Sequence, residues 1–128
     1  MQTLTSRLNV RDEQYLQNRN DMLEMLDTIE ALLEEVEKGG GEEAMARLRK
    51  RDKLPIRERI ALALDRDSPF LEISPLAAWR SNFTVGSGFI VGIGVISGVE
   101  CLVLGHDPSV RAGAFNDFNS KKLMRGLQ

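Results

Sequence analysis

The chain has one cysteine, Cys101, and one histidine, His106, in 128 residues. A single thiol excludes an intrachain disulfide or a thiolate cluster, and a single imidazole excludes a histidine metal cluster. Cys101 lies in an apolar segment and is expected to be a small buried hydrophobe. Five phenylalanines, one tryptophan (Trp79) and one tyrosine (Tyr15) are the whole aromatic content apart from His106, which leaves little for stacking along nucleic acid. Net charge is only −2, so there is no bulk attraction to nucleic acid or to an anionic membrane. No basic segment followed by an apolar stretch opens the chain, so no secretory leader is indicated and a cytoplasmic location is expected. Neither a Walker-type phosphate loop nor a G-x-S-x-G elbow is present.

What is present is one long apolar run, Gly88 to Asp107. Ser97-Gly98 between β-branched segments predicts a two-residue hairpin loop. That loop sets Ile96 against Val99, Ile93 against Leu102 and Val91 against Leu104. One face then carries Phe89, Val91, Ile93, Val95, Leu102 and Leu104. The other sets Gly92 against Val103, Gly94 against Cys101 and Ile90 against Gly105. Apolar on both faces, such a hairpin belongs inside a layered structure. Its glycine side would admit a second backbone or a ligand at close range. The run is broken by glycines, Glu100 and a turn, so it is no membrane-spanning helix.

Charge is segregated along the chain. Residues 12 to 43 hold eleven acids and two bases, and residues 44 to 66 hold eight bases and three acids. From Asp12 to Lys38 nothing interrupts a helix. Tyr15, Met22, Leu26, Ile29, Leu33 and Val36 form a heptad-like stripe that packs either on its own domain or on another subunit. Gly39-Gly40-Gly41 ends it. A short helix opening at Glu42-Glu43 carries Arg47, Arg49, Lys50 and Arg51 towards its end, as the helix dipole favours. Pro55 suits the first turn of the next helix, IRERIALALD. A turn from Asp65 to Pro69 and a short strand at residues 70 to 73 follow. The basic stretch either forms a solvated face paired with acids or meets the phosphates of a ligand.

Gly92-x-Gly94 invites a dinucleotide-binding reading and fails it. The fingerprint wants glycine where Ser97 stands, and a helix where a second strand follows. His106 and Asp107 end that strand, a place where ligand groups gather, although a plain strand terminus is the simpler reading. After a loop containing Gly113, Asn116 or Asp117 caps a closing helix.

The order of these pieces resembles a known family. Residues 39 to 79 (GGGEEAMARLRKRDKLPIRERIALALDRDSPFLEISPLAAW) are similar to the opening of the carboxyltransferase (beta) subunits of biotin-dependent acyl-CoA carboxylases. GIGVISGVECLVLGHDPSVRAGAFNDFNSKKLMRGLQ resembles the family's next part, including the Lys121-Lys122 pair. Three departures stand out. Asp52 occupies a position that is usually glycine, His106 one that is usually asparagine, and Ala112 to Phe115 replace a loop richer in glycine and hydroxyl groups.

The resemblance implies an α/β class, the start of a crotonase-like spiral: N-terminal helices, a β-hairpin, then a helix. It divides the chain into an acidic amphipathic helix, residues 1 to 38, and an incomplete carboxyltransferase domain, residues 39 to 128. It implies carboxyl transfer from carboxybiotin, carried by a biotin carboxylase or biotin carrier partner, to the α-carbon of an acyl-CoA. A homo-oligomer is implied for the full-length protein, with no role for nucleic acid, membrane or metal. Backbone donors at glycine-rich turns stabilise the enolate in such enzymes, and those turns are expected beyond Gln128. No catalytic residue is therefore named. Arg47, Arg49, Lys50, Arg51 and Lys53 are the candidates for holding CoA phosphates. The competing reading is a non-catalytic assembly module that docks through the N-terminal helix; a decarboxylating relative is a third. The hairpin's uncovered faces predict self-association of the isolated chain.

Overall fold

The order of elements follows the hydrophobic pattern closely. A computed structural model describes residue 6 and residues 8–128; the rest of the expected N-terminal segment lies outside the described residues. Among the described residues there are four α-helices, α1 (Glu13–Glu37), α2 (Glu42–Arg49), α3 (Ile56–Ala63) and α4 (Asp117–Leu127), a short 3-10 helix at Arg111–Gly113, and three strands, β1 (Phe70–Glu72), β2 (Phe89–Ile96) and β3 (Val99–His106). The described chain divides into two units, Met1–Ala31 and Leu32–Gln128.

The first unit holds most of α1. Its polar face is laced by i,i+4 side-chain hydrogen bonds, Gln14 Nε2 to Asn18 Oδ1 at 2.8 Å and Gln17 Nε2 to Asp21 Oδ1 at 2.7 Å. The apolar stripe stays open here: Met22, Leu26 and Ile29 are 53%, 44% and 43% exposed. In the second unit the same helix buries Val36, whose side chain lies over Gly86.

The hairpin has the predicted register, from Phe89 opposite His106 to Ile96 opposite Val99. Ser97 and Gly98 both take positive φ, 52° and 77°, which matches the twist of a two-residue hairpin loop. Asp65 fixes that turn, since its carboxylate accepts from the backbone N–H groups of Ser97 and Gly98, each at 2.7 Å. β1 adds antiparallel to β2 and leaves β2 at the centre of the sheet.

The glycine side of the hairpin receives side chains of this chain. Phe70 lies over Gly92, Leu64 over Gly94, and Ile56 over Gly105, where an added Cβ would stand 2.7 Å from Ile56 Cδ1. Ile56, Ile60 and Ile90 form the buried cluster, with Leu64, Phe70 and Val103 packed around it. Each such side chain contributes roughly 1.5–3 kcal/mol by burial.

The opposite face is only partly covered, contrary to the expectation of burial on both sides. α4 reaches it where Gly126 meets Val91. Leu71, Ile93, Leu102 and Leu104 remain 65%, 42%, 37% and 46% exposed. Cys101 is half-buried, not buried, because β3 is the edge strand.

Two outcomes follow from this packing. Gly92→Val drives a side chain into the Phe70 ring and is expected to cost about 1–3 kcal/mol in urea denaturation. Phe70→Ala in the same chain should return part of that loss, and an additive double variant would refute the contact. The 128-residue chain is expected to self-associate in light scattering. Replacing Leu71, Ile93 and Leu104 by threonine should lower its apparent mass, and an unchanged mass would exclude this face as the cause.

Candidate functional site

The site is built where the end of β3 meets the turn between α2 and α3. That turn closes with the hydrogen-bond pattern of a helix C-terminal motif. Lys53 N–H donates to Leu48 O at 3.1 Å and Asp52 N–H to Arg49 O at 3.0 Å. Asp52 takes the left-handed conformation itself, φ 54°. Its short polar side chain tolerates that region, so the turn forms without the usual glycine. Arg51 and Lys53 consequently leave the turn into two different grooves.

The facing loop is anchored just as firmly. Asp107 is 6% exposed and accepts from Ser109 N at 2.8 Å and Ser109 Oγ at 2.5 Å. Gly40 N–H donates to that same hydroxyl at 2.9 Å, and an added Cβ at Gly40 would collide with the Ser109 carbonyl. The glycine run thus does more than end α1; it lets the start of α2 lie directly on this loop. Beyond Val110, which fills the space above Gly88, Arg111 and Ala112 both take positive φ, 46° and 55°.

Pro108 and Ala112 form a ridge shared by the two grooves. The smaller, about 360 Å³, is lined by Arg47, Arg51 and Arg111. The larger, about 590 Å³, is lined by Lys53, Leu54, Arg59, His106 and Gly113, with Asp52 the acid on its wall.

The five basic candidates are therefore not equivalent. Arg47, Arg51 and Lys53 converge on this pair of grooves. Arg49 makes a two-pronged ion pair with Glu58, and Lys50 lines neither groove. Arg47 lies 3.8 Å from Glu43, an exposed pair of small energetic weight. Reading the sequence alone missed Arg111, which is remote in the chain, and did not place Arg59 among the candidates. Its neighbour Arg57 is structural and donates to Glu72 at 2.7 Å.

Glu72 also meets the wholly buried Lys122, whose Nζ stands 3.2 Å away. One carboxylate thus ties α3 and α4 to β1. Burial pushes the Lys122 pKa below its ordinary 10.5, against the pull of Glu72 and with the push of Arg57. The unfolded chain then holds this proton more tightly than the folded one. Stability from this group rises with pH from the folded value up to 10.5. Glu72→Gln strands a buried ammonium and is expected to cost about 3–5 kcal/mol in chemical denaturation. Lys122→Met leaves the Arg57–Glu72 pair intact, should cost far less, and should flatten that alkaline slope. Equal losses in the two variants would disprove the arrangement.

Among the described residues no group of three or more histidine, cysteine, aspartate or glutamate side chains is placed to hold a metal ion. No helix of the described residues is long and apolar enough to cross a membrane.

Residues 47–128 match the carboxyl transferase domain family. Over 98% of its length the chain is 42% identical to a probable biotin-dependent acyl-coenzyme A carboxylase beta2 subunit of Mycobacterium tuberculosis, covering 24% of that protein. It is 35% identical to a probable mitochondrial methylcrotonoyl-CoA carboxylase beta chain of Drosophila melanogaster, covering 22% of it. The beta subunit of P. aeruginosa geranyl-CoA carboxylase superposes with a TM-score of 0.86 at 37% identity, over 95% of this chain and 23% of that one. The transcarboxylase 12S hexamer, solved with methylmalonyl-coenzyme A bound, shares the fold at a TM-score of 0.73 and 23% identity, over 83% of this chain and 22% of that one. The chain thus spans less than a quarter of the length of these relatives.

Proposed function

The chain belongs to the carboxyl transferase domain family, and from that premise we propose that it is part of an acyl-CoA carboxylase carboxyltransferase subunit. The whole subunit moves a carboxyl group from carboxybiotin, borne by a biotin carboxylase or biotin carrier partner, to the α-carbon of an acyl-CoA. A homo-oligomer in the cytoplasm completes the reading. The apolar face left open over Leu71, Ile93, Leu102 and Leu104 is in keeping with further packing partners.

The observation that carries the proposal is the convergence of Arg47, Arg51 and Lys53 on two adjoining grooves. Such a set suits the phosphates of CoA, because arginine offers a planar fork of donors to phosphate oxygens. Arg51 and Lys53 take part in none of the ion pairs formed among the described residues, so their charge is available. The carboxyl-transfer step is assigned to the whole subunit and to none of these residues individually. Their part is to bind and orient the substrate's remote end.

A phosphate contact made equally in the ground and transition states lowers KM and leaves kcat alone. In the full-length subunit with its biotin-bearing partner, Arg51→Ala with Lys53→Ala is expected to raise KM for the acyl-CoA about tenfold, with kcat nearly unchanged. Arg49→Ala should leave KM as it was and act only on stability. An unchanged KM in the Arg51/Lys53 variant would remove this role.

A further inference from the structure

The buried charges around Lys122 do not balance among themselves. Glu72 is one carboxylate shared by two cations, Lys122 Nζ at 3.2 Å and Arg57 Nη1 at 2.7 Å. The Lys122 side chain is 0% exposed and that of Glu72 14%, so solvent does little to screen the surplus positive charge. A small hollow lies against this cluster. Arg57, Glu72 and Asp107 are its charged walls, and Val36, Val85 and Phe89 are among the apolar ones. Its free volume is about 10 Å³, room for one water molecule and for nothing larger. Asp107 is itself buried, and both hydrogen bonds from Ser109 fall on its Oδ1. Its Oδ2 lies against Gly39, another wall of the hollow, where an added Cβ would collide with it.

We propose that one bound water in this hollow joins Asp107 Oδ2 to Glu72 and Arg57, making Asp107 the second counter-ion of the buried lysine's network. The charges then close, with Lys122 and Arg57 set against Glu72 and Asp107. Donors and acceptors close as well. The two carboxylates take the water's two protons, and the guanidinium has five N–H donors, of which Glu72 engages one. Three partners are the usual complement of a buried water. A metal ion would suit the two carboxylates but would be repelled by the guanidinium beside them, so a neutral occupant fits best. The other charged groups nearby line an adjoining groove that shares Arg57 and Asp107 with the hollow. There Arg49 and Glu58 neutralise each other, and Glu37 is exposed to solvent. That leaves Asp107 as the buried anion, and the groove gives the water its way in. Burial first, and the Arg57 charge after it, press Lys122 towards its neutral form, and a carboxylate across the hollow opposes both. Because Ser109 is held by Asp107 and accepts from Gly40, the linkage runs from α4 through β1 and α3 to the start of α2. The inference is independent of the acyl-CoA reading.

Urea denaturation of the 128-residue chain as a function of pH tests the charge link. Asp107→Asn keeps an acceptor for Ser109 and removes the charge. It is expected to lower the urea midpoint at neutral pH. It should also start the alkaline rise in stability at a lower pH, because the folded chain then gives up the Lys122 proton more easily. With Lys122→Met in place, the same change should cost clearly less, since the surplus positive charge is gone. Ser109→Ala loosens the loop without touching the charge and should leave the alkaline onset where it is in the parent. A crystal structure of the chain is expected to show one water within hydrogen-bond distance of Asp107 Oδ2, a Glu72 oxygen and an Arg57 N–H. An onset unmoved by Asp107→Asn, or moved as far by Ser109→Ala, overturns the proposal. So do additive losses in the double variant, and so does density in the hollow for a metal ion or for no water at all.

Discussion

The close approach of side chains to the glycine face of the β2–β3 hairpin governs the rest of the structure. Phe70, Leu64 and Ile56 each occupy the space where a Cβ of Gly92, Gly94 or Gly105 would stand. Without those glycines α3 could not lie flat on the sheet, and β1 could not carry Phe70 across it. The location of α3 sets the turn before it, and that turn sends Arg51 and Lys53 in their two directions. A packing requirement in the core is thereby linked to charge placement at the surface.

The second constraint is electrostatic. Glu72 takes a hydrogen bond from Arg57 on α3 and another from Lys122 on α4. A buried lysine is costly unless it is paired, so α4 is held to one position by the need to keep that pairing. Asn116 adds a local constraint, since its side chain accepts from Phe118 N and Asn119 N and starts α4 at a defined point. Between Asp107 and Asn116 the chain has few residues in which to turn. Arg111 and Ala112 absorb that turn with positive φ, a conformation that costs residues with a Cβ energy and that tends to persist where function uses it.

Much of this was legible because the signals were local. The hairpin register follows from one Ser-Gly pair and a strict alternation, and the helix boundaries follow from Gly39, Pro55 and Asn116. The glycine side was legible as a close-approach surface, but what approached it was not, since Phe70 and Leu64 come from another strand and from a helix end. Exposure of Ile93 and Leu104 was hidden for the same reason: alternation says which residues share a face, and only tertiary packing says whether that face is covered. Among the basic residues composition could not separate roles. Arg49 and Arg51 are two positions apart on a helix end, which turns them to different sides, and one finds Glu58 while the other finds a groove.

Asp52 serves the geometry of the turn and the chemistry of the groove at once. It holds a left-handed turn of the kind glycine commonly serves, because aspartate is among the few other residues that accept that conformation. It also sets a carboxylate on the wall of a groove otherwise rimmed by Lys53, Arg59 and His106. A uniformly basic groove would take any polyanion, whereas one acid among the cations disfavours phosphate at that single point and favours a donor there. The wall thereby acquires a direction, with a place for charge and a place for a hydrogen-bond donor. Discrimination of this kind requires a repulsive element as well as attractive ones. Asp52 supplies it while keeping the turn that positions its neighbours.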